Sequence, residues 1–235
     1  MDKRVSSLAD AVTGIHDCAT ILISGFGEAG SPTELVHALV DLGPRDLTVV
    51  SNNAGNGHVG LAALIEAGQV RRLICSFPRS TDAGVFTAAY RSGSIELEVV
   101  PQGTLAERLR AAGAGIPAFF TPTSVGTPLA QGKEVREFNG RKYVMEHALP
   151  GDFALVKADR ADRFGNLSYN KVARNFGPLM CMAAHTTIVQ VRASVHAGDI
   201  DPERVVTPGI FVERVVEVPS PVHESDLIAS GARYP

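Results

Sequence analysis

Ile21-Leu22-Ile23-Ser24-Gly25-Phe26-Gly27-Glu28-Ala29-Gly30-Ser31-Pro32 is the stretch around which the chain is organised. Three consecutive apolar residues suit a strand buried on both faces. Gly25, Gly27 and Gly30 follow at Gly-x-Gly-x-x-Gly spacing, and Ser31, Pro32 and Glu34 then stand as helix N-cap, first helical residue and third helical residue. Ser-x-x-Glu is a capping-box pattern, each of whose bonds contributes about 1 kcal/mol. Strand, glycine turn and capped helix present free backbone N–H groups to an anion such as a phosphate or an oxyanion. The same glycines also suit a tight turn that binds nothing, so the motif takes its meaning from its surroundings.

Upstream, residues 5–13 read as a short amphipathic helix stopped by Gly14, and 19–24 as the first strand. Downstream, a helix over 32–42 places Leu35, Val36, Leu39 and Val40 on one face and ends at Gly43-Pro44. Strands over 47–51, 70–76 and 95–100 alternate with helices over 58–67, 81–91 and 105–112, the last under a second capping box of Thr104 and Glu107. Four strand–loop–helix units in a row predict an open, mainly parallel twisted sheet with flanking helices, an α/β fold with right-handed crossovers. Beyond Gly113 come a strand over 118–121 and a β-hairpin insertion over 134–145, where Asn139-Gly140 suits a type I′ turn. A strand over 153–158, a turn over 162–166, a helix over 175–184 and strands over 187–191 and 210–218 complete a single domain, 1–218, and 219–235 reads as an irregular tail.

With 45% hydrophobic and 20% charged residues, 235 residues can bury a sizeable core. A net charge of −3 points away from nucleic acid and anionic membranes. The start lacks the apolar core of a signal peptide and no apolar run has transmembrane length, so the expectation is a cytoplasmic protein. Cys18, Cys75 and Cys181 are sparse and form no Cys-x-x-Cys pair, which predicts reduced thiols packed in the interior. The histidines show no ligand spacing, and no metal is expected.

In parallel sheets, ligands sit beyond the carboxyl ends of the strands. The loops there, over 25–30, 52–57, 77–80 and 102–103, are rich in glycine, amides or arginine. A dinucleotide site needs an acidic residue at the end of the second strand, but that strand ends Ser51-Asn52-Asn53, and Asp46 lies before it. What the loops offer is neutral donors: the amides of Asn52, Asn53 and Gln102 and the backbone N–H groups of the glycine turn. Such donors suit the oxyanion formed when a carbonyl or thioester is attacked. Each asparagine could equally hold its own turn. No Gly-x-Ser-x-Gly elbow supplies a nucleophile, and Glu28 reads as a solvated acid near a helix N-terminus. A donor cavity without an attacking group predicts that another chain supplies it.

These residues resemble the α (A) subunit of family I coenzyme A transferases, and the likeness runs to about Val218. The family signature is matched by Asp17-Cys18-Ala19-Thr20 through Pro32, with Cys18 and Ser24 where glycine is usual. Further matching blocks are Ser51-Asn52-Asn53-Ala54-Gly55, Pro101-Gln102-Gly103-Thr104-Leu105-Ala106-Glu107-Arg108, Asp162-Arg163-Phe164-Gly165-Asn166-Leu167 and Thr207-Pro208-Gly209-Ile210-Phe211-Val212.

The resemblance implies a β (B) subunit carrying the catalytic glutamate in a Ser-Glu-Asn-Gly motif, which is absent here, and an α2β2 heterotetramer. It implies CoA transfer from succinyl-CoA to a 3-oxo acid by a ping-pong route, with coenzyme A as a substrate and no permanently bound cofactor. Gly25, Phe26, Gly27, Glu28, Ala29, Gly30 and Ser31 become the CoA-contacting segment, with Asn52, Asn53 and Gln102 as oxyanion and positioning residues. Ser51 to Gly57 and Ser76-Phe77-Pro78-Arg79 are most like members that use 3-oxoadipate in the breakdown of aromatic compounds. Acetoacetate and short fatty acids are the other acceptors. Arg79 is the candidate for the far carboxylate of a dicarboxylic acceptor, with Lys171 and Arg174 as alternatives. A stand-alone nucleotide- or effector-binding domain is the reading from a different class.

Overall fold

The computed structural model describes residues 2–235. The chain opens with α1 (Leu8–Val12), capped by the Ser7 hydroxyl, which accepts from the Asp10 N–H. Four strand–helix units follow: β1 (Thr20–Ile23) and α2 (Thr33–Leu42), β2 (Leu47–Asn53) and α3 (Leu61–Glu66), β3 (Val70–Phe77) and α4 (Gly84–Ser92), β4 (Glu96–Val99) and α5 (Gln102–Gly113). β5 (Ala118–Thr121), β6 (Val135–Phe138) and β7 (Arg141–His147) form a separate antiparallel sheet. Asn139 and Gly140 have φ of 51° and 75°, as a type I′ turn requires. The chain then returns through β8 (Gly151–Asp162), β9 (Leu167–Ser168), α6 (Gly177–Ala183), β10 (Ala184–Val195), β11 (Arg214–Glu217) and α7 (Glu224–Ala229).

The main sheet runs β11-β10-β8-β1-β2-β3-β4, with every neighbouring pair parallel and β9 antiparallel to β8. This is the open, mainly parallel sheet that the alternating pattern predicts. Its strands are apolar at consecutive positions because both faces are covered. Ile21, Val49, Leu73, Leu155 and Ile188 pack with α1 to α4 on one face. Their neighbours Leu22, Val50, Ile74, Val156 and Val189 pack with α5 and α6 on the other.

Local expectations fail at several helix starts and turns. Neither capping box forms. Pro32 is the N-cap of α2 and makes no side-chain cap. The Ser31 hydroxyl goes to Glu224, and the Glu34 carboxylate accepts from Gln190 Nε2 and the Val222 N–H. α5 begins at Gln102, which places Thr104 inside the helix and buried, while Glu107 pairs with Arg110. Gly60, at φ 53°, delays α3 to Leu61. Cys18 is exposed, against the expectation of packing, on a left-handed turn at φ 62° that glycine adopts more readily. The segment 219–235, read as irregular, carries α7 and packs along α2.

α5 is tied to β4 and to the β7–β8 corner by one side chain. Arg108 Nη1 donates to Glu98 Oε1 at 2.7 Å and its Nε to the His147 carbonyl at 2.9 Å, while Arg72 Nη2 takes Glu98 Oε2 at 2.5 Å. Burial alone would raise the Glu98 pKa, but the Arg108 and Arg72 guanidiniums outweigh it and hold the carboxyl below its ordinary value. The contribution is therefore complete above the unfolded value of about 4.3 and is lost as pH falls through the lower folded one. Glu98→Gln should cost about 1–2 kcal/mol at pH 7. Its urea midpoint should also fall less steeply than wild type as pH drops below that value. Equal acid slopes in the two proteins would assign acid sensitivity to other carboxylates.

Candidate active site

From β1 the chain winds outward through β2, β3 and β4, then returns to β8 and winds outward the other way through β10 and β11. β1 and β8 are thus neighbours at a change of direction, and ligands of open α/β sheets sit in the crevice beyond the strand ends there. The Gly25–Ser31 loop leaves β1 at this place.

Two contacts mould that loop. A Cβ on Gly30 would lie 2.4 Å from the Ala173 carbonyl oxygen, and its φ of 78° excludes most side chains as well. Asn175 spans the loop: its Oδ1 accepts from the Gly25 N–H at 3.2 Å and its Nδ2 donates to the Ala29 carbonyl at 2.8 Å. Within the loop, the Phe26 N–H bonds the Ala29 carbonyl at 3.0 Å. The N–H groups of Gly27 and Glu28 have no hydrogen-bond partner among the described residues. Both residues line a cleft of about 610 Å³ that also takes in Asn52, Asn53, Arg79 and Gln102. All four loop regions singled out at the strand ends therefore meet in one cavity.

The amides divide into two roles. Asn52 is buried in β2, and its Oδ1 accepts from Gln102 Nε2 at 2.7 Å, which fixes the Asn52 amide and leaves its Nδ2 as the donor. Gln102 is the first residue of α5, not a loop residue. Asn53 Oδ1 accepts from the Gly55 N–H at 2.9 Å, the Asx turn that asparagine often makes. Ser76 and Ser80 also line the cleft, and their buried hydroxyls lack partners among the described residues. Arg79 is exposed and makes no ion pair among the described residues. Lys171 and Arg174 sit on a 3-10 turn beside Gly30 and do not line this cleft.

The acids at this edge are engaged. Glu28 Oε1 faces His223 Nδ1 at 3.2 Å in an exposed contact, and its side chain stays partly solvated. Glu224, from α7, accepts from the Ser31 and Thr33 hydroxyls. Burial pushes the Cys75 and Cys181 thiols up to about 12, so both are protonated at neutral pH. Cys18 precedes β1, at the opposite edge of the sheet. The cleft is equipped to stabilise negative charge on a carbonyl oxygen, and its unpartnered serine hydroxyls, Ser76 and Ser80, have no hydrogen-bonded base to activate them among the described residues. Asn175 and Glu224 carry no motif, and with 150 and 193 positions between them and their partners Gly25 and Ser31, no local pattern points to them.

The pattern of the Coenzyme A transferase family matches residues 5–218. The chain is 60% identical over 218 residues to the A subunit of the 3-oxoadipate CoA-transferase of Pseudomonas putida, covering 93% of this chain and 94% of that one. It is 46% identical over 215 residues to the A subunit of the succinyl-CoA:3-ketoacid coenzyme A transferase of Helicobacter pylori strain J99, covering 92% of each. Among solved structures it resembles the acyl-CoA transferase YdiF of Escherichia coli O157:H7 in its thioester complex with CoA, at a TM-score of 0.83 and 26% identity over 94% of this chain. It spans about half, 48%, of that longer polypeptide. With its sheet order, its donor-lined cleft and these matches across nearly its whole length, the chain belongs to the coenzyme A transferase family.

Proposed function

We propose that this chain is the α component of a transferase that moves CoA from succinyl-CoA to 3-oxoadipate in a cytoplasmic α2β2 assembly. The observation that carries the acceptor is the 60% identity to the Pseudomonas putida 3-oxoadipate CoA-transferase chain, against 46% to the Helicobacter pylori succinyl-CoA:3-ketoacid relative. The observation that supports a partner is chemical. The cleft has donors without an activated nucleophile, and two of its lining residues, Phe26 and Phe77, are 49% and 61% exposed and form an apolar rim.

In the ping-pong route, a glutamate carboxylate of the partner attacks the thioester carbonyl of succinyl-CoA. The tetrahedral oxyanion collapses to an acyl-glutamyl anhydride and expels the CoA thiolate. The thiolate then attacks the glutamyl carbonyl, releasing succinate and leaving a glutamyl-CoA thioester. The carboxylate of the acceptor attacks that thioester, and the same two steps in reverse deliver the new acyl-CoA. In this reading, Asn52 Nδ2 and the Gly27 and Glu28 N–H groups stabilise the oxyanions, Gln102 orients Asn52, and the loop from Gly25 to Ser31 contacts CoA.

Three measurements test this. The purified chain alone should show no transfer from succinyl-CoA, and adding the β partner should restore it; substantial turnover by the lone chain would overturn partner dependence. In the reconstituted enzyme, Asn52→Ala should lower kcat about 10²- to 10³-fold, the usual cost of one oxyanion donor. A lower melting temperature with near-normal kcat would instead make Asn52 a structural residue. Arg79→Met should raise KM for 3-oxoadipate and leave acetoacetate nearly unchanged, because a guanidinium can hold the second carboxylate with two parallel bonds. Equal losses on the two acids would remove Arg79 as the selector.

A further inference from the structure

The geometry points to Glu224 as a positioning residue of the active site, supplied by a C-terminal segment beyond the 5–218 region that the family pattern covers. The inference rests on the reading of the loop from Gly25 to Ser31 as the CoA-contacting segment.

One carboxylate oxygen does the joining. Glu224 Oε1 accepts from Ser31 Oγ at 2.9 Å and from Thr33 Oγ1 at 2.8 Å, one residue on either side of Pro32. Pro32 has no N–H and makes no side-chain cap for α2, so the loop–helix junction lacks the local bonds that usually fix it. The Leu35 N–H goes to Gln190 Oε1 at 3.1 Å, and Glu224, from the far end of the chain, ties the Ser31 and Thr33 side chains together across the junction. Burial raises its pKa, and the Thr33 and Ser31 hydroxyls act against that shift.

The segment is strapped on at several independent points. The Val222 N–H donates to Glu34 Oε1 at 2.6 Å, and the Tyr234 N–H to the His58 carbonyl at 3.0 Å. The Tyr234 ring stacks on His37 with centroids 3.7 Å apart and planes 7° apart, and its hydroxyl donates to Asp41 at 2.7 Å. The backbone beneath is cut to fit: a Cβ on Gly60 would lie 2.5 Å from Glu224 Oε1, and one on Gly57 3.0 Å from Ile228 Cγ1. Glu224, Ser225 and Ile228 then form a wall of the same cleft that holds Asn52, Arg79 and Gln102. The C-terminal segment therefore joins the two sides of the cleft, the glycine loop and the loop after β2, and Glu224 holds the glycine loop in register with α2.

The test uses the full-length chain reconstituted with its β partner. Glu224→Ala should raise KM for succinyl-CoA about tenfold, the loss of one or two ordinary hydrogen bonds, with kcat within about threefold of wild type. Glu224→Gln should restore KM, because an amide oxygen accepts the same two hydroxyl bonds. Unchanged KM in Glu224→Ala, or equal damage in the Ala and Gln variants, would overturn the inference. If Glu224→Ala does not fold, Thr33→Val removes one of the two bonds with little change in shape and should raise KM about threefold, and an unchanged KM there overturns the inference equally. Calorimetric titration of the complex with CoA reads the same loop without turnover, and Glu224→Ala should weaken binding about tenfold. Failure of the wild-type pair to transfer CoA counts against the proposed function, whereas an active pair indifferent to Glu224 counts only against this inference.

Discussion

The rest of the site depends on one crossing, where the loop after β1 passes against the chain at Ala173. There is room for a hydrogen on Gly30 and nothing more, since a Cβ would lie 2.4 Å from a backbone oxygen. Asn175 then clamps the loop at both ends, through the Gly25 N–H and the Ala29 carbonyl. The loop is thus held by tertiary contacts on its β8 side and by Glu224 on its α2 side, and what remains free at its tip are N–H groups. A preorganised donor array needs this rigidity, because donors that must reorient as charge develops lose much of their advantage over water. The glycines therefore serve packing and chemistry together: one admits the Ala173 carbonyl, and the others turn the backbone toward the cleft.

The sheet is legible in the sequence because its signal is local and repeated. β1 carries the apolar run Ile21-Leu22-Ile23, β2 and β3 carry Val49-Val50 and Leu73-Ile74-Cys75, and each of these strands is followed by a turn and a helix, so pattern and punctuation agree. The capping boxes mislead for the opposite reason. Ser31 and Glu34 have the right spacing for a local cap, but a hydroxyl or carboxylate offered a partner from another part of the chain takes it when that partner would otherwise be buried unpaired, and Glu107 is drawn instead to Arg110 one turn along its own helix. Ser-x-x-Glu records what a side chain could do within one turn. It holds no information about Gln190 or Glu224.

The site is legible in the same uneven way. Glycine spacing and amides at strand ends put Gly27, Glu28, Asn52, Asn53, Arg79 and Gln102 at one edge, and the structure brings them to one cleft. Residue type alone does not divide the labour among the amides. Asn53 spends its oxygen on the Gly55 N–H, while Asn52 and Gln102 form a pair in which one orients the other. The tail reads as irregular because 219–235 is polar and lacks a helical period long enough to stand out. Its order comes from groups scattered over α2 and the loop after β2, and six-residue helices such as α7 owe their stability to such docking, not to their own sequence.

Electrostatics explains why a cleft of this kind suits a shared active site. A carboxylate nucleophile must remain ionised and uncommitted until the thioester arrives, and a second ionised acid close to it would raise its pKa and oppose the oxyanion that follows. Here the nearby acids are engaged by their own partners, Glu28 with the His223 imidazole and Glu224 with two hydroxyls at the start of a ten-residue helix. Burial raises the Glu224 pKa, and the Thr33 and Ser31 hydroxyls offset only part of that shift. Beside these acids, the amides of Asn52 and Gln102 and the backbone of Gly27 and Glu28 line the cavity, and such groups stabilise charge without competing for a proton. In the proposed two-chain assembly, separating the attacking acid onto the partner and the donors onto this chain would let each be tuned alone, and the reaction would start only where both surfaces meet.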